Sequence, residues 1–199
     1  DAKGFQYPEI NENLCNECKL CIRVCPYQNK HHPDDGRINL EVYAAKHKSD
    51  AVRMGSSSGG VFTAISDHIL GIGGVVYGAA FSDEFVVVHR RAKTPEERDR
   101  FRGSKYVQSN MEGIFNLVKR DLETGTPVLF SGTPCQTAGL HRYMHISKTC
   151  IEKLYLCDLI CHGVPSPLVF ADYLKSLHKQ YGSTIESFNF RYKPRGWRN

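Results

Sequence analysis

Cysteines carry the most distinctive chemistry in this sequence, and four of the eight fall in one run. Cys15, Cys18, Cys21 and Cys25, followed by Pro26, keep the spacing Cys-x2-Cys-x2-Cys-x3-Cys-Pro. That is the iron–sulfur run of bacterial-type ferredoxins. Three thiolates on one short loop can reach three iron corners of a cubane, and the fourth points away. Cys25 is expected to start a helix, with Pro26 in a first turn where the missing N–H does no harm. In two-cluster ferredoxins the fourth Cys serves the other cluster. Zinc sites favour two separated Cys pairs or Cys/His pairs, so a 4Fe-4S cluster is the expected metal group on these four thiols.

The other thiols divide by their surroundings. Cys135 falls in the first turn of a predicted helix, where the dipole favours thiolate. It could be a cluster ligand, a redox thiol or a nucleophile, against the common fate of a small core residue. Cys161 is followed by His162 and Gly163 at a strand end, and His162 could move a proton near neutral pH. Cys157 lies inside an apolar strand and reads as core, and Cys150 as a surface thiol. His89 ends an apolar strand and reads as structural. The pair His31-His32 sits among Pro, Asp and Gly and reads as a solvated linker.

Three loops share one place in the pattern, each after a predicted strand and opening a helix. They are 54–60, with Ser56-Ser57-Ser58-Gly59-Gly60; 131–136, with Thr133-Pro134-Cys135; and 161–167, with Cys161-His162-Gly163. In a parallel α/β sheet such loops lie at the carboxyl ends of the strands, where ligands bind. Helix N-termini there offer N–H groups and a positive dipole end to phosphates. The serine–glycine loop is a candidate phosphate cradle, with a flexible helix cap as the alternative; it is neither a Walker loop nor a dinucleotide fingerprint. The loop 103–109 adds Ser104, Lys105, Tyr106 and Gln108, a mix suited to an anionic, planar cofactor or to an exposed turn.

The elements that must position these loops follow from periodicity. Residues 1–10 read as a short hairpin strand and 38–45 as a strand. Helical spacing spans 58–70. Residues 74–81 and 85–89 read as a β-hairpin. Thr94-Pro95-Glu96-Glu97 is a helix start. An amphipathic helix is predicted over 110–123, a strand over 127–130, a helix over 133–143, a strand over 154–160, a helix over 167–178 and an alternating strand over 185–192. This alternation predicts an α/β fold: a partial ferredoxin-like iron–sulfur segment, residues 1–38, followed by a mixed, partly parallel α/β sheet domain, residues 39–199.

The 199 residues carry 41% hydrophobic and 24% charged side chains, ordinary for a globular protein. The net charge of +5 is scattered rather than striped, which argues against nucleic acid. No apolar run suits a membrane span, since 69–81 is broken by glycines. The opening Asp1-Ala2-Lys3-Gly4 has no leader pattern, and thiolates must stay reduced, so a cytoplasmic setting is expected.

Taken in order, seven stretches are recognisable: Gly4-Phe5-Gln6-Tyr7-Pro8, Val42-Tyr43-Ala44-Ala45, Ser56 to Phe62, Gly74 to Phe81, Gly103 to Ser109, Gly132 to Gln136 and Asp158 to Gly163. With the Cys run they make the chain resemble the coenzyme F420 hydrogenase/dehydrogenase beta-subunit family, including bacterial members fused to a two-cluster ferredoxin unit. The resemblance implies a flavoprotein oxidoreductase with FAD on the α/β domain and iron–sulfur clusters exchanging electrons with it. Hydride would pass to or from a deazaflavin or another small redox substrate. By matching motif it implies cofactor contacts from Ser56, Ser57, Ser58, Gly59, Gly60, Ser104, Lys105, Tyr106, Gln108, Thr133 and Cys161. Cys135 and Cys161 would lie near the flavin or a further cluster, and Cys135 or His162 would assist proton transfer. The expected partner is a redox protein or small-molecule substrate. Because no earlier Cys run precedes residue 15 and the family's C-terminal half is missing, the sequence is expected to be a fragment cut inside a ferredoxin unit; a single cluster on the four thiols, or one using a remote cysteine, is the alternative. Two other functions stay open: an iron–sulfur electron carrier without a catalytic site, and a transferase using Cys135.

Overall fold

The structure, a computed structural model, describes residues 1–28 and 41–192. Its elements in chain order are α1 (Leu20–Val24), α2 (Asp50–Met54), α3 (Val61–Gly71), β1 (Val75–Phe81), β2 (Val87–Ala92), α4 (Pro95–Asp99), α5 (Ile114–Glu123), β3 (Val128–Gly132), α6 (Pro134–Ile146), β4 (Leu154–Asp158) and α7 (Pro167–Tyr181). The strands form one sheet in the order β2-β1-β3-β4. β1 and β2 are an antiparallel hairpin, with Ala79 opposite His89. β1, β3 and β4 are parallel, with Tyr77 opposite Phe130 and Ser131 opposite Cys157. The fold is thus the expected mixed α/β sheet with the Cys run at its amino end.

Strand alternation sends side chains to two faces. Val75, Tyr77, Val128 and Phe130 meet Ile114, Val118 and Leu122 of α5 and Leu140 and Met144 of α6. Val76 and Leu129 meet Ile69 of α3 on the other face, with Phe62, Phe101 and Cys157 at the margin. β3 is buried at every residue, so it reads as a continuous apolar run rather than an alternating one. A third cluster joins Val87, Val107 and Phe170, with Phe81, Phe188 and Phe190 packed around it.

Connectivity sets the polarity of the whole molecule. α3 leads straight into β1, α5 into β3, while α6 and α7 follow β3 and β4. The N-termini of α3, α5, α6 and α7 therefore gather toward the carboxyl rim of the parallel strands. The helix start at Thr94-Pro95 is present, closed by Glu97 bonding back to the Thr94 N–H.

Several expectations fail for identifiable reasons. Cys25 does not start a helix. It caps the end of α1 in an extended conformation, φ −66° and ψ 120°, because Pro26 disfavours the helical region for the residue before it. Residues 1–10 form no strand; the Asp1 carboxylate accepts the N–H groups of Lys3 and Phe5 at 2.9 and 3.0 Å and folds the start into a turn. Residues 41–45 are not a strand either, and Val42 and Tyr43 are exposed. Residues 38–40, the linker histidines His31 and His32, and the expected boundary after residue 38 lie outside the described residues. The serine–glycine loop is preceded by α2, capped by Ser49, rather than by a strand. Residues 185–192 keep the predicted alternation, with Phe188 and Phe190 both packed on Phe170 at 5.0 and 5.3 Å, but form no strand because that side of the molecule offers ring packing instead of a ladder. α5 starts at Ile114 rather than 110, since Asn110 is bridged to Val88 of β2 and Gly113 turns the chain at φ 72°.

Candidate functional site

The carboxyl rim is assembled from loops joined by side chains. Gly60, at φ 79°, turns the chain into α3 without a side-chain cap on that helix; an L residue with a Cβ would be strained there. Gly59 presses so closely on the strap 45–47 that a Cβ would come 2.8 Å from the Ala45 carbonyl. The His47 N–H donates to the Gly59 carbonyl at 2.7 Å. Ser56 donates to the Val52 carbonyl at 2.6 Å, closing α2, and Ser58 is exposed. Ser57 Oγ accepts the Ser104 N–H at 2.8 Å and lies 3.2 Å from Ser104 Oγ. Of the three serines, Ser57 ties the first loop to the second.

Within the second loop, Lys105 Nζ donates to the carbonyls of Arg100 and Arg102 at 2.8 and 3.0 Å. Burial lowers its pKa to about 8, because desolvation disfavours the ammonium. Tyr106 stands edge-on to Phe190 at 5.5 Å. Gln108 turns the other way: its Oε1 accepts the Gln6 N–H and its Nε2 donates to the Gln6 carbonyl, both at 2.8 Å. Ser109 Oγ accepts from Gln136 Nε2 at 2.9 Å, joining this loop to the start of α6.

At that start, Thr133 donates its N–H to Gln136 Oε1 at 3.0 Å, and its hydroxyl lies 3.1 Å from Cys135 Sγ. Tyr27 is exposed beside Cys135, and hydrogen bonding to that thiol, its charge, partial burial and the charges of Cys161 and Cys25 push the phenol above its usual value. Arg142 of α6 donates from Nη1 to the Cys25 carbonyl at 3.1 Å. The Cys run is therefore seated on α6. Cys161 Sγ accepts the Gly163 N–H at 3.4 Å on an exposed loop. His162 is exposed on that loop. Cys157 is partly buried, and burial raises its thiol pKa.

Cys15, Cys18 and Cys21 are exposed and Cys25 half-buried, all as free thiols. Among the described residues no three Cys, His, Asp or Glu side chains converge closely enough to share an ion. The donor set still fits an iron–sulfur centre in kind and spacing. Glu17 and Lys19, at φ 56° and 57°, flank Cys18 in the left-handed region and coil the run tightly; non-glycine residues adopt it at a cost of about 1–3 kcal/mol, a strain that clusters at ligand sites.

The structure joins Ser57, Ser104, Lys105, Thr133 and Cys135 in one rim. It directs Ser56 and Gln108 to structural hydrogen bonds and leaves Ser58 and His162 at the surface. Tyr27, Ser109, Gln136 and Arg142 escaped the sequence, although an aromatic residue just after a Cys-Pro pair was a visible signal for Tyr27. Among the described residues no helix is long and apolar enough to cross a membrane.

Comparison with known proteins agrees with this geometry. Residues 7–29 match a 4Fe-4S binding domain. Residues 42–116 match the N-terminal model, and residues 125–198 the C-terminal model, of the coenzyme F420 hydrogenase/dehydrogenase beta subunit. No curated protein matches the chain. Among solved structures, a chain in the xenon-derivatised F420-reducing NiFe hydrogenase complex from Methanosarcina barkeri is similar, with 18% identity and a TM-score of 0.54 over 72% of this chain. The match covers 52% of that chain, so the present sequence spans about half its length. With both beta-subunit models matched in order behind an iron–sulfur segment, the chain belongs to the coenzyme F420 hydrogenase/dehydrogenase beta-subunit family.

Proposed function

We propose that this chain is the electron-transfer part of an iron–sulfur flavoprotein oxidoreductase. Cys15, Cys18, Cys21 and Cys25 hold a 4Fe-4S cluster. Gly59, Gly60 and the first N–H groups of α3 would hold the phosphates of FAD at the carboxyl rim. The observation that carries this reading is the seating of the Cys run, through the Arg142–Cys25 bond, on the helix whose first turn bears Cys135. That rim is where parallel α/β sheets bind nucleotides.

The residues fit the phosphate chemistry. The N-terminus of α3 lacks a side-chain cap, so its N–H groups and dipole favour an anion. Ser57 and Ser104 add hydroxyls, and Lys105 adds a cation whose charge a phosphate would restore. Bound there, a flavin would supply the conversion between single electrons and a hydride. The protein's part is to orient, to keep water from the rim, and to move the proton that accompanies the hydride. His162 or the Cys135 thiol holds that proton. The hydride acceptor or donor is a deazaflavin or another small redox molecule, and a redox protein partner feeds or drains the cluster.

Anaerobic reconstitution with iron, sulfide and FAD tests this. Co-elution of flavin bands with iron–sulfur absorbance, and flavin bleaching on cluster reduction, are the expected results. Iron–sulfur absorbance alone would reduce the chain to an electron carrier. Group transfer lost in Cys135→Ser with electron transfer untouched would favour a thiol-dependent transferase.

A further inference from the structure

Two of the contacts that residues 1–28 make with the rest of the protein are unusual. Gln108 meets the backbone of Gln6 with both ends of its amide, at 2.8 Å each way. A side-chain amide has the donor–acceptor geometry of a peptide group, so Gln108 acts as a one-residue strand neighbour for a segment that has no ladder. Arg142 is only 6% exposed on α6. A buried guanidinium must find acceptors, and one that it uses is the Cys25 carbonyl, 117 residues away, at 3.1 Å. Gly4 packs against Leu168 at the start of α7, where a Cβ would come within 2.5 Å of the leucine Cβ. Between these points the segment crosses the carboxyl rim from α7 to α6.

We propose that Gln108 and Arg142 are positioning residues, a two-point latch that seats residues 6–25 on the rim and holds a cluster on the Cys run at a fixed distance from the crevice. This rests on the function proposed above for the rim, but the latch itself is a property of the chain. The two residues act at opposite ends. Gln108 fixes the entry of the segment and Arg142 the exit from α1, where the helix-end carbonyl needs a donor. Tyr27, two residues beyond Cys25, then lies against Cys135. Electron tunnelling falls steeply with separation, so a loosened seat lowers the rate even when the cluster is intact.

The test uses the full chain, loaded anaerobically with its iron–sulfur cluster, as the parent and as Gln108→Ala, Arg142→Ala, Arg142→Lys and the double alanine variant. Hydrogen exchange is read by mass spectrometry for residues 1–28 and for β3. The expected result is a roughly tenfold faster exchange of residues 1–28 in each alanine variant, larger in the double variant, with β3 unchanged. Arg142→Lys should regain part of the protection, since it keeps a donor. With FAD present, flavin bleaching after cluster reduction should slow severalfold in the double variant, as a longer tunnelling gap requires, while iron content holds. Unchanged exchange in residues 1–28 would overturn the latch, as would β3 opening to the same extent in Gln108→Ala. A parent that binds no flavin would count against the proposed function, and the exchange data would then decide the latch alone.

Discussion

Ser57 Oγ accepts the backbone N–H of Ser104 at 2.8 Å and so joins two loops 47 residues apart in sequence. Neither loop has a ladder to fix it, and this hydroxyl replaces one. Ser57→Ala should lower unfolding stability by about 1 kcal/mol, the scale of one lost hydrogen bond that leaves a partly buried donor unpaired. FAD affinity should fall with it, as the two loops part. Urea unfolding and a flavin fluorescence titration measure the two effects separately.

Lys105 gives the proposed flavin site a pH signature. Its pKa is lowered to about 8 by burial. Its charge is therefore present below pH 8 and is lost above it. An anionic ligand that contacts it should bind with constant affinity below about pH 7 and progressively more weakly above pH 8. Lys105→Met should bind roughly tenfold more weakly at neutral pH, the loss of one charge-assisted contact, with the pH dependence flattened. Equilibrium titration between pH 6.5 and 9 is the measurement.

His89 should make the fold acid-sensitive. It is 5% exposed, stacked on Phe130 at 5.4 Å, with Nε2 3.2 Å from the Ser131 carbonyl. Nδ1 is buried without a hydrogen-bond partner. Burial lowers its pKa from 6.5 to about 4. The unfolded chain therefore takes up a proton first as pH falls. The neutral imidazole's stability is fully present above pH 6.5 and is lost as pH drops toward 4, to a total of about 3 kcal/mol. Denaturant midpoints of His89→Gln should fall less between pH 7 and 4.5 than those of the parent.

Arg98 holds α4 to α3 from the interior. It is 3% exposed and donates to the Thr63 carbonyl at 3.1 Å, to Asp67 at 2.7 Å and to Asp99 at 2.9 Å, with Ser66 Oγ beside it. Arg98→Met removes the donors to Ser66 Oγ and Asp67, and leaves the Thr63 carbonyl with the Ser66 hydroxyl as its side-chain donor. Stability should drop by about 2–4 kcal/mol, read as a lower urea midpoint. Lys105 bonds the carbonyls just beyond α4, so flavin affinity should fall as well.

What the sequence made legible was what neighbours in sequence decide. Thr94, Pro95 and Glu97 carry their helix start within four residues, and the apolar run at 128–130 could only be a buried strand. The Cys spacing named its chemistry for the same reason. At Cys25 two sequence signals compete, the ferredoxin pattern that predicts a helix start and the steric rule of Pro26 that forbids it, and the steric rule wins. Phe188 and Phe190 alternated as a strand does, yet strand formation needs a partner edge, which no local pattern supplies. The pairings of Gln6 with Gln108 and of Cys25 with Arg142 span more than a hundred residues, and neither residue differs from a surface polar group when read alone. Sequence thus found the loops of the rim and missed the contacts that assemble it.

Four helices begin toward the same rim, those opening at Val61, Ile114, Pro134 and Pro167. Each amino end behaves as about half a positive charge. Whatever accepts electrons between them becomes more negative in the act, and is held more firmly afterwards than before. The backbone alone thus tilts the rim toward the electron-rich form of its guest, and raises the midpoint at which that guest fills, before any side chain contributes.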